Sequence, residues 1–227
     1  MKGLPLAAQK CSRAIAVLVV ALFSQMFFSL TAMADSADER VAELQTAWAK
    51  IKYRTPEKQQ AAQFSELIGQ AQAATAAYPQ SAPVWVWSGI IRASYAGAKG
   101  GLGALSAVKA AKSDLEQAIA IDGSVLDGAA YTSLGSLYYQ VPSWPIGFGN
   151  DKKAESFLRK GLEFGAKDVD ANYFYADYLF QKKNYAQALE YLHRAEQAPT
   201  DPQRPVASEG RLGEIKSLQA KIQQEMH

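Results

Sequence analysis

Between Gly128 and Pro199 the chain states one plan twice, and that plan restricts the fold more than any other feature. Tyr131-x2-Leu134-Gly135-x2-Tyr138 is answered by Ala154-x3-Leu158-x2-Gly161. Asn172-x2-Tyr175-Ala176-x2-Leu179 is answered by Tyr185-x2-Ala188-x3-Leu192-x2-Ala195, and Pro199 closes the unit. Apolar residues three, four and seven apart share one face of a helix. Small residues at Gly135, Ala154, Gly161, Ala176, Ala188 and Ala195 let neighbouring backbones approach closely. A pair of such helices cannot bury its apolar face alone, so the pairs must stack on one another.

Upstream the same logic gives two more pairs. Val41, Leu44, Trp48 and Ile51 predict a helix after the acidic start Asp35 to Glu39. Pro56 ends it, and Phe64, Leu67, Ile68, Ala71 and Ala74 predict a second helix that stops at Tyr78-Pro79. Pro83-Val84-Trp85-x2-Ser88-Gly89-x2-Arg92 then opens a pair answered by Ala111-x3-Leu115-x2-Ala118. Gly89 and Ala111 stand 22 residues apart, against 12 from Ala176 to Ala188, so ten residues are inserted around the glycine-rich link from Ala96 to Gly103. Gly135 to Ala154 spans 19, seven more than the uninterrupted step, and the excess forms the loop Pro142-Ser143-Trp144-Pro145-Ile146-Gly147-Phe148-Gly149. A final helix carries Leu212, Ile215, Leu218 and Ile222, with Arg211, Glu214, Lys216 and Lys221 elsewhere on its surface. It is expected to cover the open end of the stack. The fold expected is all-α: a solenoid of four hairpins at about 37–79, 83–122, 128–166 and 170–199 with a capping helix at 205–226.

This spacing resembles the tetratricopeptide repeat over Pro83 to Pro199, and more weakly over Glu57 to Pro79. The resemblance implies that the first helix of each pair lines a concave groove. It turns Thr132, Ser136, Tyr139 and Gln140, then Tyr173, Asp177, Phe180 and Gln181, toward that groove, with Val86, Ile90 and Ser94 from the earlier unit. The alternative is that these are the exposed side of aromatic-rich helices. The glycine link and the Pro-x-x-Pro-x-Gly-Phe-Gly insertion, in an exported chain of four hairpins, also resemble the periplasmic T-component of TRAP-type solute transporters. No binding residue of that group maps onto this chain.

The start of the chain bears on where it works. Lys2, Lys10 and Arg13 precede an apolar run from Ala14 to Leu30, and Ala32-Met33-Ala34 has the small-x-small form of a cleavage site. Residues 1–34 are expected to be a signal peptide, leaving a periplasmic or secreted chain that begins at Asp35. The competing reading, one membrane anchor, is weakened by Ser24, Gln25 and Ser29 inside the run. Cys11 precedes the apolar run and so is not placed as a lipoprotein cysteine. Cleavage removes this sole cysteine, three of the 24 basic residues and none of the 22 acidic ones, leaving 21 against 22. Nucleic acid is thereby disfavoured, since phosphate binding needs a basic surplus.

The residues of catalysis are sparse. The two histidines, His193 and His227, stand in no paired motif, and there is no GxSxG elbow. Gly97-x2-Gly100-Gly101-x-Gly103 lacks the Gly-Lys-Ser/Thr ending of a phosphate loop and reads as a connector. Gly147 to Asp151 reads as a turn that delivers Asn150 or Asp151 to cap the next helix. Asp114, Glu116, Asp122 and Asp127 lack calcium-loop spacing and read as solvated surface and caps. No catalytic residue, metal or cofactor is expected. The function expected is a non-enzymatic adaptor that holds a protein or peptide in its groove. The alternative is a small-solute-binding accessory of a transport system, in which the two insertions would close over a deep apolar pocket. Trp144 and Phe148, stiffened by Pro142 and Pro145, are candidate recognition residues; otherwise both rings fold down to cover the end of the stack.

Overall fold

The computed structural model describes residues 37–226, so the expected signal peptide, Cys11 and His227 lie outside the described residues. From Arg40 onward the described residues make one compact unit. It is an all-α solenoid closed by a C-terminal helix. The helices are α1 (37–54), α2 (Glu57–Ala77), α3 (Ala82–Lys99), α4 (Leu105–Asp122), α5 (Val125–Gln140), α6 (Asp151–Phe164), α7 (Val169–Gln181), α8 (Tyr185–Glu196) and α9 (Pro205–Met226). A 3-10 turn, Leu102–Ala104, precedes α4.

Local chemistry sets most of the helix ends. The Asn150 side chain accepts from Lys153 N at 2.9 Å at the start of α6, and Asp168 accepts from Ala171 N at 2.7 Å at the start of α7. Each satisfies an amide that the helix itself leaves unpaired, beside the positive end of the helix dipole. Pro83 and Pro205 sit in first turns, where the missing N–H costs nothing. α3 stops at Gly100, whose φ of 62° no β-carbon opposes. The entry to α5 is unusual: Leu126, Asp127 and Gly128 have φ of 51°, 54° and 73°, and right-handed helix follows only from Ala129. At Gly128 a β-carbon would also stand 2.9 Å from Phe164 Cβ, so packing as well as backbone angle demands glycine.

Within each hairpin the helices run antiparallel. In α5–α6, Gly128 faces Phe164, Thr132 faces Gly161 and Gly135 faces Leu158. In α7–α8, Tyr175 meets Tyr191 and Phe180 meets Tyr185. Between hairpins the first helices touch in succession, α3 with α5, α5 with α7, and α7 with α9. Trp48 of α1 continues the series, packing edge-on to Trp87 at 5.6 Å and donating to Ser94 Oγ at 2.8 Å.

Three expectations are corrected here. The ten extra residues between Gly89 and Ala111 do not make a long link: α3 runs on to Lys99 and α4 begins at Leu105, each with 18 residues, against 13 and 12 in α7 and α8. Alanines around Gly97 carry the helix through it. Asp114 is not solvated. It is buried in the α3–α4 interface, where it accepts from Ser88 Oγ at 2.6 Å and from Arg92 Nε at 2.7 Å. A carboxylate is tolerated there because both partners are brought to it.

The third correction concerns α9, which does more than cap. Ile215, Leu218 and Ile222 join the core built by α3 to α8, while Val206 and Ala207 pack on the separate core of α1, α2 and α3. At 22 residues it is about 33 Å long, enough to reach both. Tyr53 Oη of α1 donates to Glu214 at 3.1 Å, Arg54 pairs with Glu209, and the Arg204 guanidinium lies over the Trp87 ring. Thus α9 ties the first hairpin to the last.

Candidate functional site

Two of the first helices bring their C-terminal halves together to make a polar cluster. Tyr139 of α5 donates its hydroxyl to Asp177 Oδ2 of α7 at 2.6 Å. Gln140 Nε2 donates to the same tyrosine oxygen at 3.2 Å, and Gln181 Nε2 reaches Asp177 at 3.5 Å. Ser136 lies against Tyr139, and the Tyr178 ring packs 5.7 Å from the Tyr139 ring. Burial pushes the Tyr139 hydroxyl well above its usual range, and the Asp177 carboxylate adds to this. Burial also raises Asp177, against the opposing hydrogen bond from Tyr139. At neutral pH the tyrosine is therefore a fixed donor. Gln140 and Gln181 are exposed, and each amide offers both a donor and an acceptor at the mouth of the cluster.

Further along α7 the surface is occupied by α9. The Arg211 guanidinium lies 4.3 Å from the Tyr173 ring centre and 4.8 Å from that of Phe174, and its Nε donates to Asp170 at 2.6 Å. Its Nη1 also pairs with Glu214. Burial alone would lower the pKa of Arg211, but Asp170, Tyr53, Glu214 and Tyr173 together hold it above its usual value. Tyr173, buried beneath that cation, is pushed up to about 12 by burial, with Arg211 opposing. At the foot of α7, Asp168 is raised to about 6, chiefly by burial and then by the neighbouring Asp170 and Asp127.

The structure places the expected groove residues unevenly. Tyr139, Asp177, Gln140 and Gln181 come together, and Phe180 is half-buried beside Tyr185 at 5.9 Å. Tyr173 is covered by Arg211. Thr132 is corrected: it is 3 % exposed and packed on Gly161 inside its own hairpin, its hydroxyl without a partner. Ser136 is buried too, reaching no further than Tyr139, and Val86 is wholly interior. Ser94 is taken by Trp48, and Ile90 bridges the two cores. The side chain on this part of the helix turns inward because the glycine opposite lets the two helices come close enough to enclose it.

Trp144 and Phe148 part company. Phe148 turns down onto Tyr138, edge-on at 5.4 Å, whereas Trp144 stands 86 % exposed with Ile146 beside it. The loop is held by its own backbone: Gly147 N donates to Ser143 O at 3.2 Å, Gly149 N to Pro142 O at 3.0 Å, and Asn150 N to Tyr138 O at 2.8 Å. Sequence reasoning missed Arg211, Asp170, Glu214 and Tyr53 as a linked group. The one local signal was Arg211 and Glu214 three apart on a helix. A cavity of about 330 Å³ lined by Arg40, Gln70, Ala73 and Tyr78 lies in the first hairpin, apart from this cluster.

The chain matches no model of a known protein family and no curated protein.

Proposed function

We propose that the chain is an exported, non-enzymatic scaffold of the tetratricopeptide type, which holds a protein or peptide partner against the C-terminal ends of α5 and α7. The observation that carries this reading is the Tyr139–Asp177 hydrogen bond with Gln140 and Gln181 at its edge. It joins two hairpins through polar groups, where apolar contacts would stack helices equally well. Such a cluster suits a ligand rich in amides, because each glutamine can give and take one bond from a peptide group. The lie of α9 also supports the reading, since it lays a helix of this chain along α7 with its cation over two aromatic rings. The small-solute alternative needed the two insertions to close over a pocket. Trp144 and Leu102, at 86 % and 76 % exposed, point away from the helices instead.

The test is capture from a periplasmic extract by wild type and by Asp177→Ala with Gln181→Ala, with mass spectrometry of both proteins and small molecules. A protein or peptide retained by wild type and lost by the double variant is the expected result. Retention of a small molecule with no polypeptide would overturn the proposal.

A further inference from the structure

The hairpins give the molecule two unlike ends. Links from first to second helix, at 55–56, 100–104, 141–150 and 182–184, lie at one end; links between hairpins lie at the other. Contacts fix this arrangement. Lys182 pairs with Asp151 and Tyr178 Oη donates to Asp151 O at 3.5 Å, joining two links of the first end, while Asp127 stands against Gly165 and Asp168 at the second.

The first end carries Trp144, Leu102 and, at 53 % exposure, Ile146. Around them stand the exposed Lys58, Lys99, Lys152, Lys153 and Lys183, none of which pairs with a carboxylate among the described residues. Lys99 Nζ donates to Tyr95 Oη at 2.8 Å, and Lys153 lies over the Tyr138 ring. The second end carries Asp122, Asp127, Glu163, Asp168, Asp170 and Asp201 against Lys160, Lys167 and Arg204, with Glu163 paired to Lys160 and Asp170 to Arg211. Its apolar residues, Leu126 and Phe164, are 39 % and 40 % exposed, and Phe164 is stacked on Tyr131 at 5.7 Å. Against Glu57, Asp151 and Glu225, the lysines around Trp144 with Lys182 leave a basic excess at the first end.

We propose that the end bearing Trp144, Ile146 and Leu102 docks on an anionic phospholipid surface. Trp is favoured at the level of the headgroups, where its ring meets the acyl boundary and its N–H meets water. The unpaired lysines complement lipid phosphates, and the acidic far end turns the molecule so that this end leads. The backbone bonds of the 141–150 loop hold Trp144 out in advance, so little order is lost on contact. No helix among the described residues is long and apolar enough to cross a membrane, so the attachment is peripheral. The Tyr139–Asp177 cluster adjoins this surface, because Gln140 and Gln181 lead directly into the 141–150 and 182–184 links.

The experiment is sedimentation of the chain from Asp35, which keeps the whole compact unit and drops the apolar run that would itself enter lipid. Vesicles of phosphatidylcholine with about 30 % phosphatidylglycerol are compared with pure phosphatidylcholine. The expected result is binding to the anionic vesicles about tenfold stronger than to the neutral ones, released at about 0.5 M salt. Trp144→Ala with Ile146→Ala, and separately Lys152→Glu with Lys183→Glu, should each weaken it about fivefold or more, with unchanged circular dichroism and melting temperature. Failure of the wild type to bind anionic vesicles overturns the proposal, as does binding that survives either double substitution.

Discussion

The α5–α6 and α7–α8 hairpins are written on the same residue plan yet are held by different means. In α5–α6 the helices meet backbone to backbone. A β-carbon on Gly135 would lie 2.7 Å from Leu158 Cγ and 2.9 Å from Leu158 N, and Tyr131 stacks on Phe164 and Tyr138 on Phe157. In α7–α8 the close positions are Ala176 and Ala188, and Tyr175 meets Tyr191 edge-on at 4.7 Å. The latter hairpin is completed from outside itself: Arg211 of α9 covers Tyr173 and Phe174 and binds Asp170. A central hairpin has neighbours on both sides. The last one has an open flank, and a helix carrying a buried cation fills it.

The sharpest way to break this contrast is Gly135→Leu. Because the obstacle includes the Leu158 backbone, the helices must separate, and a loss of about 3 kcal/mol or more is expected by urea unfolding. Lys152→Leu, at an exposed position, should stay within about 0.5 kcal/mol. Equal losses for the two would mean that the close contact is not what holds α5–α6. Next comes Arg211→Met, which keeps the bulk over the rings but leaves Asp170 and Glu214 without their cation. About 2 to 4 kcal/mol should go, and hydrogen exchange should rise in α7 and α9 while α5–α6 stays protected. A uniform rise across all helices would erase the distinction between the two hairpins.

A smaller effect is expected where the hairpins meet. Asp168 has a folded-state pKa of about 6 against an ordinary value near 3.9, so between those values the folded chain keeps a proton that the unfolded chain has lost. Its contribution is fully present below about pH 4 and is lost as pH rises through about 6. Raised Asp177 has the same sign. Asp168→Asn retains an oxygen for Ala171 N and cannot ionise. It should stabilise the fold by about 1 kcal/mol at pH 7 and reduce the difference in unfolding free energy between pH 5 and pH 7. An unaltered pH dependence would remove Asp168 from the account. The smallest effect belongs to the loop. Trp144→Ala should change stability by less than about 0.5 kcal/mol, because the ring rests on nothing, whereas Phe148→Ala should cost about 1 to 2 kcal/mol through its contact with Tyr138. Calorimetric melting of the two variants compares them directly.

The helices, their pairing and their order were legible because each depends on residues a few positions apart. Periodic apolar positions, Asn150 or Asp151 as a cap, Pro56 and Pro79 as stops, and Gly135 as a close contact are all local statements about one helix or one hairpin. Part of the candidate site was legible for the same reason: Gln140 and Gln181 occupy matching positions in successive first helices, and Tyr139 and Asp177 were both assigned to the groove side of theirs. Where phase was carried one turn too far the reading failed, and Thr132 faces Gly161 instead of the groove.

What the amino-acid order determined by itself was thus a stack of antiparallel helix pairs with a short list of polar residues along one side. Tertiary structure alone decided which of those residues are open. Arg211, Asp114 and Tyr53 look like surface when read singly, since a charge or hydroxyl enters the interior only if partners 22 to 161 positions away arrive with it. The path of α9 across both cores depends on where the first and last hairpins come to lie, which no window of sequence contains. Trp144 and Phe148 were separated by a backbone hydrogen-bond pattern that closes over a neighbouring tyrosine, and that closure exists only once α5 and α6 have met.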